Sequence, residues 1–594
     1  MFTLDIKEFE FKKEAIHLLK DNLFVKSLWP VLYILTDDKR VYVGETTNAF
    51  NRMNQHLESP NKKGLKNIHL ITSNIFNKSA TLDIESKLIS YMIADSKYKV
   101  INANAGVANH NYYQKYDLYK EVFDEIWNKL KVLKIVLKDK KTIENDNVFK
   151  YSPYKALSIE QKANILDILN AILKKNYSNI VINGGAGTGK SILAIYIMKL
   201  LKSDFSDIDE SDYDSYDKKF INLTRKIQKE EPNIKLGLVI PMSSFRTTLK
   251  KVFKSIEGLS QEMVISPNDV SKQKYDLLIV DEAHRLKKRK NLTNYKAFDD
   301  ACALLGLDKE TTNELEWVKM QSQTLVLFYD KNQSIKPSDI DKNKFDFLFQ
   351  SKKTKSLELK TQFRVKGGED YISFVHDLLN CRLKKNSKVN FQEYDIKLFE
   401  NISELISSIK EKEEEFGLSR LIAGFSWEWV SKKNPSLYDI DINGVKLKWN
   451  STAVDWINDE NKKFEVGCIH TTQGYDLNYA GIIFGNEISY DKKLNKIIIK
   501  KENYFDRNGK NSISDPEKLK EYIINIYSTM MFRGIKGTYI YACDKDLNEY
   551  LSAYIKKYYK SNTESYLPNT PKIYPNFKEI NNQMILADSN KKKE

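Results

Sequence analysis

Cysteine, proline and glycine are scarce in this chain of 594 residues, at four, 12 and 22 residues. Cys302, Cys381, Cys468 and Cys543 lie far apart, form no C-x-x-C pair and have no histidine cluster beside them. That spacing argues against a disulfide framework and a zinc finger, and makes a reducing compartment the expectation. So little glycine and proline excludes a fibrous or linker-dominated chain. No apolar run approaches the roughly 18 residues that a membrane span needs. The N-terminal MFTLDIKEFEFKKEAIHLLK interleaves acids and lysines where a secretory signal would be apolar. A cytoplasmic protein is expected, with no membrane partner. Acidic residues are in deficit as well: 80 Asp+Glu against 95 Lys+Arg leave a net charge of +15. That excess points to a polyanionic partner, most simply nucleic acid, although a bias toward Lys, Asn, Ile and Tyr produces the same balance.

Apolar mass is plentiful. Hydrophobic residues make up 41% and aromatics 12%, enough for true cores and too much for a mainly disordered chain. Residues 1–30 read as an amphipathic helix, with Phe9, Ile16, Leu19 and Leu23 near a helical period. VLYILTDDKRVYVGET reads as a hairpin around Asp37-Asp38-Lys39. A helix over 48–57, a strand over 68–72 and a helix over 80–93 follow. A charged helical segment, 113–140, leads into the polar KDKKTIENDNVFKYSPYK, the expected domain boundary. From Leu157 the pattern changes. Short β-branched runs at 180–183, 236–241, 277–281 and 324–330 alternate with helical stretches, which predicts βαβ units in a parallel sheet. Runs at 419–424, 464–470, 481–485 and 538–543 predict a second sheet of the same class. The acidic run SDFSDIDESDYDSYD, 203–217, lacks the glycine and terminal glutamate of a calcium loop. It reads as a solvated insertion or as a negative flap that competes with nucleic acid.

The strongest motif is Gly184-Gly185-Ala186-Gly187-Thr188-Gly189-Lys190-Ser191, a G-x-x-x-x-G-K-S loop between Asn179-Ile180-Val181-Ile182 and the helical Ile192-Leu193-Ala194-Ile195-Tyr196. Glycines let the backbone close round phosphates, Lys190 reaches the β/γ-phosphates, and the Ser191 hydroxyl holds Mg²⁺. Asp281 and Glu282 end the apolar Tyr275-Asp276-Leu277-Leu278-Ile279-Val280. Asp281 is the expected metal partner, and Glu282 the residue that orients or deprotonates the attacking water. His284 is open between a structural and a coupling role.

With these motifs, residues from about Leu157 to Asp544 resemble the superfamily 1 helicase motor, closest to the helicase-like part of Schlafen proteins. The resemblance implies two RecA-like P-loop lobes with parallel sheets. It implies that Gln161, in Leu157-Ser158-Ile159-Glu160-Gln161, contacts the base, and that Asp330 and Gln333 belong to the γ-phosphate sensor. Arg364, in Leu359-Lys360-Thr361-Gln362-Phe363-Arg364, and Arg533, in Arg533-Gly534-Ile535-Lys536-Gly537, are the implied arginine fingers, entering as the lobes close. His470-Thr471-Thr472-Gln473-Gly474-Tyr475-Asp476 is similar to the late coupling motif, with Gln473 where many members have Lys. ATP hydrolysis is therefore expected, and strand separation is left open.

Residues 31–104 carry a second resemblance, to the GIY-YIG nucleases. Val31-Leu32-Tyr33 stands where that family has Gly-Ile-Tyr, and Tyr42-Val43-Gly44 matches Tyr-Ile-Gly. Arg52 and His56 are four apart, on one helical face. Glu85 and Asn102 stand where the family has its metal-binding glutamate and its late asparagine. The resemblance implies a one-metal site at which Glu85 holds Mg²⁺, or Mn²⁺ in its place, and Arg52 clamps the phosphorane. Tyr33 or Tyr42 would orient or deprotonate water, aided by His56.

The expected organisation is a helical extension (1–30), a small mixed α/β GIY-YIG domain (31–108) and a helical linker (109–150). Two RecA-like lobes (151–350 and 351–565) and a tail (566–594) complete it. The expected function is an ATP-dependent nuclease, its motor positioning or licensing the cutter, in bacterial defence against phage or plasmid DNA or in DNA repair. A nucleotide-controlled sensor, in which ATP silences the nuclease, stays open beside it, as does an inactive GIY-YIG module serving as a DNA-binding arm. DNA is preferred to RNA. Trp427 and Trp429 are candidates for base stacking or for core packing, and a second copy or a protein partner is left open.

Overall fold

In a computed structural model of the chain, β2 (Val31–Thr36) is buried at every residue, because both faces of its sheet are covered. Alternate side chains of a strand point to opposite faces. Val31, Tyr33 and Leu35 pack with Ala49 and Met53 of the helix Ala49–Glu58. Leu32 and Ile34 pack with Ala80, Ile84 and Leu88 of the helix Lys78–Asp95. The sheet also holds β1 (Leu4–Glu10), β3 (Arg40–Thr46), β4 (Asn67–Ser73) and β5 (Lys99–Val100), in the order β1-β4-β2-β3-β5. Its pairings are antiparallel except β3 with β5.

The described residues are 2–102, 112–153, 157–205, 215–330, 333, 338–384, 388–452, 456–472, 474–506, 510 and 513–559. Gln473, the C-terminal tail 566–594 and most of the acidic run 203–217 lie outside them. The chain divides into Met1–Lys557 and Tyr558–Glu594, and all three large sheets belong to the first.

The expectation for residues 1–30 is corrected here. Leu4–Glu10 is a strand paired along its length with β4, from Leu4↔Ser73 to Glu10↔Asn67, so this segment is part of the small domain's sheet. Ile6 packs toward one core and Phe9 toward the other, as strand alternation requires. Leu23, counted toward the helical stripe, is 74% exposed.

A six-stranded sheet follows, composed of β6 (Asn179–Gly184), β7 (Leu236–Val239), β8 (Val264–Ile265), β9 (Tyr275–Val280), β10 (Ser322–Tyr329) and β11 (Thr354–Leu359). All its pairings are parallel, in the order β11-β6-β10-β9-β7-β8. The boundary expected at residue 350 is therefore displaced. β11 pairs with β6 from Thr354↔Asn179 to Leu359↔Gly184 and so belongs to the first parallel sheet.

The second parallel sheet has β12 (Asp395–Phe399), β13 (Ser419–Ala423), β16 (Val466–Gly467), β17 (Leu477–Phe484) and β20 (Gly534–Ala542), ordered β12-β20-β17-β13-β16. Two small hairpins, β14 (Ile440–Ile442) with β15 (Val445–Leu447) and β18 (Ile488–Asp491) with β19 (Lys496–Ile499), stand apart from it. The whole is a mixed α/β protein: two parallel-sheet, RecA-like lobes preceded by a small α/β domain. Helices Leu118–Val132, Lys140–Asn145 and Asn147–Lys150 connect that domain to the first lobe.

Candidate functional site

The G-x-x-x-x-G-K-S loop runs from the end of β6 to the helix Lys190–Lys202. Gly187 and Gly189 adopt φ of +79° and +82°, a region where L side chains are strained. A Cβ on Gly189 would also lie 2.5 Å from Gln161 Nε2. Gln161 caps its own helix through Ser158 and donates to the Thr188 carbonyl at 3.1 Å, so it sits against the loop itself. Lys190 Nζ donates to the Gly184 and Gly185 carbonyls at 2.7 and 2.8 Å and lies 3.6 Å from Asp330. Ser191 Oγ donates to Asp281 at 2.5 Å.

The two acids at the end of β9 are buried side by side, and their environments drive them apart. Burial and the neighbouring Glu282 push the Asp281 carboxyl upward. Burial also pushes Glu282 upward, but His284, whose Nε2 lies 3.0 Å from its carboxylate, and Lys190 hold it well below the usual range. Glu282 is therefore the ionised member of the pair. Gln333 donates to Asp330 at 2.7 Å, while its Oε1 is buried and has no hydrogen-bond partner among the described residues.

Arg364 pairs with Asp476 at 2.5 Å. Arg533 is buried; it donates through Nε to the Thr529 carbonyl at 3.1 Å and through Nη1 to the Tyr475 carbonyl at 3.3 Å. Burial and the nearby Arg364 lower its pKa to about 10, which leaves it charged at neutral pH. Gln161, Gly187, Thr188, Gly189, Lys190, Ser191, Glu282, Gln333 and Arg364 line one cavity of about 370 Å³, within the range of ligand pockets. Asp281 reaches it through Ser191, and Gly184 and Arg533 stand outside its lining. Three residues of the linker, Glu144, Phe149 and Lys150, and Tyr151 immediately after it line it as well. No motif marks them, and in the sequence Phe149 and Tyr151 are two of a few apolar or aromatic residues scattered in a polar stretch.

In the small domain, Tyr33 Oη and His56 Nε2 share a hydrogen bond of 2.8 Å. The Tyr42 ring lies 6.3 Å from that of Tyr33 and 5.1 Å from that of His56. Gly44 is the cross-strand partner of Tyr33, and a Cβ there would fall 2.2 Å from the Tyr33 hydroxyl. The glycine leaves room for the phenol to lie across β3. Asn102 accepts from Val43 N at 3.1 Å and donates to Val43 O at 2.7 Å, which makes it a clip on the same strand. Arg52 and Glu85 are near enough to perturb both phenols. Burial and Tyr42 raise Tyr33, while burial and Glu85 push Tyr42 up to about 12. Burial, with Lys62 and Arg52, lowers His56 to about 2. The protein alone thus keeps both phenols protonated and the imidazole neutral, opposite to the lowering that a cation beside a phenol would bring.

Trp427 lies 6.1 Å from Trp449, and Trp429 is 37% exposed with Lys432 over its ring. Among the described residues, no helix is long and apolar enough to cross a membrane.

A phosphate loop at the end of a parallel strand, paired acids at the end of another strand of that sheet and an arginine lining the same cavity define a helicase-like ATPase. The chain belongs to the Schlafen group 3 DNA/RNA helicase domain family, whose model matches residues 177–544. It is 27% identical over 416 residues to the uncharacterized protein YPL245W of Saccharomyces cerevisiae, covering 64% of this chain and 86% of that one. Among solved structures it is similar to the Pif1 helicase of Candida albicans, at 12% identity over 73% of this chain and 100% of that chain, with a TM-score of 0.25. It is also similar to a Bacteroides Pif1 helicase in complex with ADP-AlF3 and ssDNA, at 12% identity over 56% and 87%, with a TM-score of 0.23. Overlap at that level fixes nothing about this chain's site.

Proposed function

We propose that the protein is an ATP-dependent nuclease in which the helicase-like motor positions or licenses the N-terminal domain on nucleic acid, DNA in preference to RNA. The observation that carries this reading is the small-domain cluster. Tyr33, Tyr42 and His56 lie in one nest with Arg52 and Glu85 acting on it, in the same compact body as the phosphate loop.

In the motor, the cavity, the glycine-rich loop at a helix N-terminus and the cationic Lys190 and Arg364 in the lining fit a nucleoside triphosphate. Lys190 is the cation available to the β/γ-phosphates. The hydroxyl of Ser191 and the carboxylate of Asp281 form a hard oxygen pair suited to Mg²⁺. That ion, when bound, neutralises phosphate charge and favours the ionised form of Asp281. Glu282, held ionised, accepts the proton of the attacking water. Arg364 and Arg533 spread the charge that develops on the γ-phosphoryl oxygens. In the small domain, Glu85 is the carboxylate that would hold a divalent cation, which polarises the scissile phosphate. Arg52 orients the phosphate, and Tyr42 or Tyr33 places water. A neutral His56 accepts the hydrogen bond of the Tyr33 hydroxyl and so holds the phenol in place. Defence against foreign DNA, or DNA repair, is the setting this pairing suits.

The test incubates the wild type, Glu85→Ala and Lys190→Ala with linear, circular and single-stranded DNA and with RNA. Each reaction contains Mg²⁺, with and without ATP, and both phosphate release and strand scission are followed. Glu85→Ala should abolish scission and spare hydrolysis, and Lys190→Ala should abolish both. A second reading, in which ATP silences the nuclease, draws on the linker residues in the nucleotide cavity and forecasts the opposite: scission by Lys190→Ala is intact or raised. Scission that survives Glu85→Ala removes the nuclease assignment of this site.

A further inference from the structure

The linker between the small domain and the first lobe, with Tyr151 at its end, is a third wall of the nucleotide cavity, and it is bonded on its other sides to the second lobe and to the small domain. Toward the second lobe, Lys150 Nζ donates to the Asp476 carbonyl at 3.0 Å, and Tyr151 Oη donates to the Gly474 carbonyl. Asn145 donates to the Phe416 carbonyl at 2.7 Å and accepts from Asn478 at 2.9 Å. The segment it grips is the one that binds both arginines, Asp476 to Arg364 and the Tyr475 carbonyl to Arg533.

Toward the small domain, Tyr91 Oη donates to Glu144 at 2.7 Å, and the Tyr91 ring meets the Phe149 ring edge-on at 4.7 Å. Asp95 accepts from the backbone N–H of Leu137 and Lys138 at 2.8 and 2.7 Å. Glu144 and Phe149 thus face the nucleotide cavity and also touch the helix Lys78–Asp95, which carries Glu85 about 9 Å along its axis from Tyr91.

We infer that the linker is a nucleotide-responsive coupler: Glu144, Phe149, Lys150 and Tyr151 are further residues of the nucleotide site, and through Tyr91 they pass its occupancy to the helix that bears Glu85. This rests on the reading of the cavity as a nucleotide site. The physical requirement for such coupling is one element whose position both sites bias. The linker meets it, because Glu144 and Phe149 both line the cavity and both touch Tyr91. By linkage, a change at the small domain then alters nucleotide affinity by the same factor.

The test is amide hydrogen exchange on the full chain, with and without a non-hydrolysable ATP analogue and Mg²⁺, in the wild type and in Tyr91→Phe. The variant keeps the ring against Phe149 and loses only the bond to Glu144. In the wild type, the analogue should slow exchange in 184–202 and change it by about 5-fold or more in 78–95, the lower end of usual allosteric couplings. In Tyr91→Phe the change in 184–202 should persist and that in 78–95 should shrink by severalfold, with ATP hydrolysis unaltered. Protection of 184–202 with 78–95 unmoved in the wild type overturns the inference. So does an undiminished response of 78–95 in Tyr91→Phe. A wild type that shows no protection at 184–202 overturns the nucleotide-site reading instead, so the two failures are distinct.

Discussion

Gly44→Ala is the sharpest structural test of the small-domain cluster. The new methyl would sit 2.2 Å from the Tyr33 hydroxyl and 2.3 Å from its Cζ, and Tyr33 is fully buried with no room to retreat. Overpacking of this kind costs about 1–3 kcal/mol. Displacing the phenol also strands the buried His56 Nε2, which adds about 1–3 kcal/mol for a lost partner. A combined destabilisation on the order of 2–6 kcal/mol follows. It should appear as local opening, because a chain of several domains does not unfold in one step. Hydrogen exchange of 31–46 should accelerate about 30-fold or more, at roughly 1.4 kcal/mol per tenfold, while 190–202 should be unchanged. The decisive control is the Tyr33→Leu background, where the clash is gone and Gly44→Ala should change exchange by no more than a surface substitution would, about 0.5 kcal/mol. Equal acceleration in both backgrounds would show that the glycine matters for its backbone and not for the phenol, and would refute the reasoning.

Three further outcomes follow from the two sites. Arg533→Ala should lower ATP hydrolysis by about 10³-fold or more while leaving analogue binding measurable by titration, since an arginine finger acts on the transition state. Asp281→Asn removes the anion from a carboxyl that burial already pushes up; it should leave the fold intact by circular dichroism and raise the Mg²⁺ concentration needed for half-maximal hydrolysis by about tenfold or more. His56 titrates near 6.5 when unfolded and near 2 when folded. Below about pH 6.5 the unfolded chain therefore binds a proton that the folded chain refuses, and stability falls as pH falls, by about 1.4 kcal/mol per unit. Exchange in 31–58 should rise between pH 6.5 and 5.5 after correction for intrinsic rates. His56→Gln should flatten that dependence in part, His69 being lowered by burial as well, and an unflattened slope would assign it elsewhere.

What could be read from the sequence was whatever local chemistry dictates without help. VLYILT is six apolar or β-branched residues with no helical period, and it forms β2; the glycine-rich loop needs only its own residues to turn. Edge strands were harder. β11 (Thr354–Leu359) lies at the rim of its sheet and is mostly half-buried or exposed, so its apolar signal is weak and the sequence pattern ends the first lobe before it. In β1, Leu4 and Ile6 face one core and Phe9 the other, and a short alternating strand followed by the short helix that buries Ile16 mimics a single helical stripe. The linker's place at the nucleotide cavity could not be read at all. It depends on where residues more than three hundred positions away, such as Asp476, arrive in the fold.

The displaced lobe boundary changes how the arginines must work. Arg364 follows a strand of the first sheet. Its segment is tied to the phosphate loop by the bond from Phe363 N to the Gly187 carbonyl, 2.9 Å, and a Cβ on Gly187 would lie 2.7 Å from Arg364 Cβ. It is therefore carried by the lobe that holds the phosphates and does not depend on closure to arrive. Arg533 precedes β20 of the second sheet, so under the proposed function it is the arginine whose reach to the γ-phosphate would depend on lobe closure. The sensitivity of hydrolysis to lobe motion should then reside in Arg533, and Asp476 would be the joint between them. It pairs with Arg364 from across the cleft, so the two lobes are held through the same residue whose carbonyl the linker's Lys150 binds. A substitution that breaks only the carboxylate, Asp476→Asn, should loosen the approach of Arg533 without removing either guanidinium.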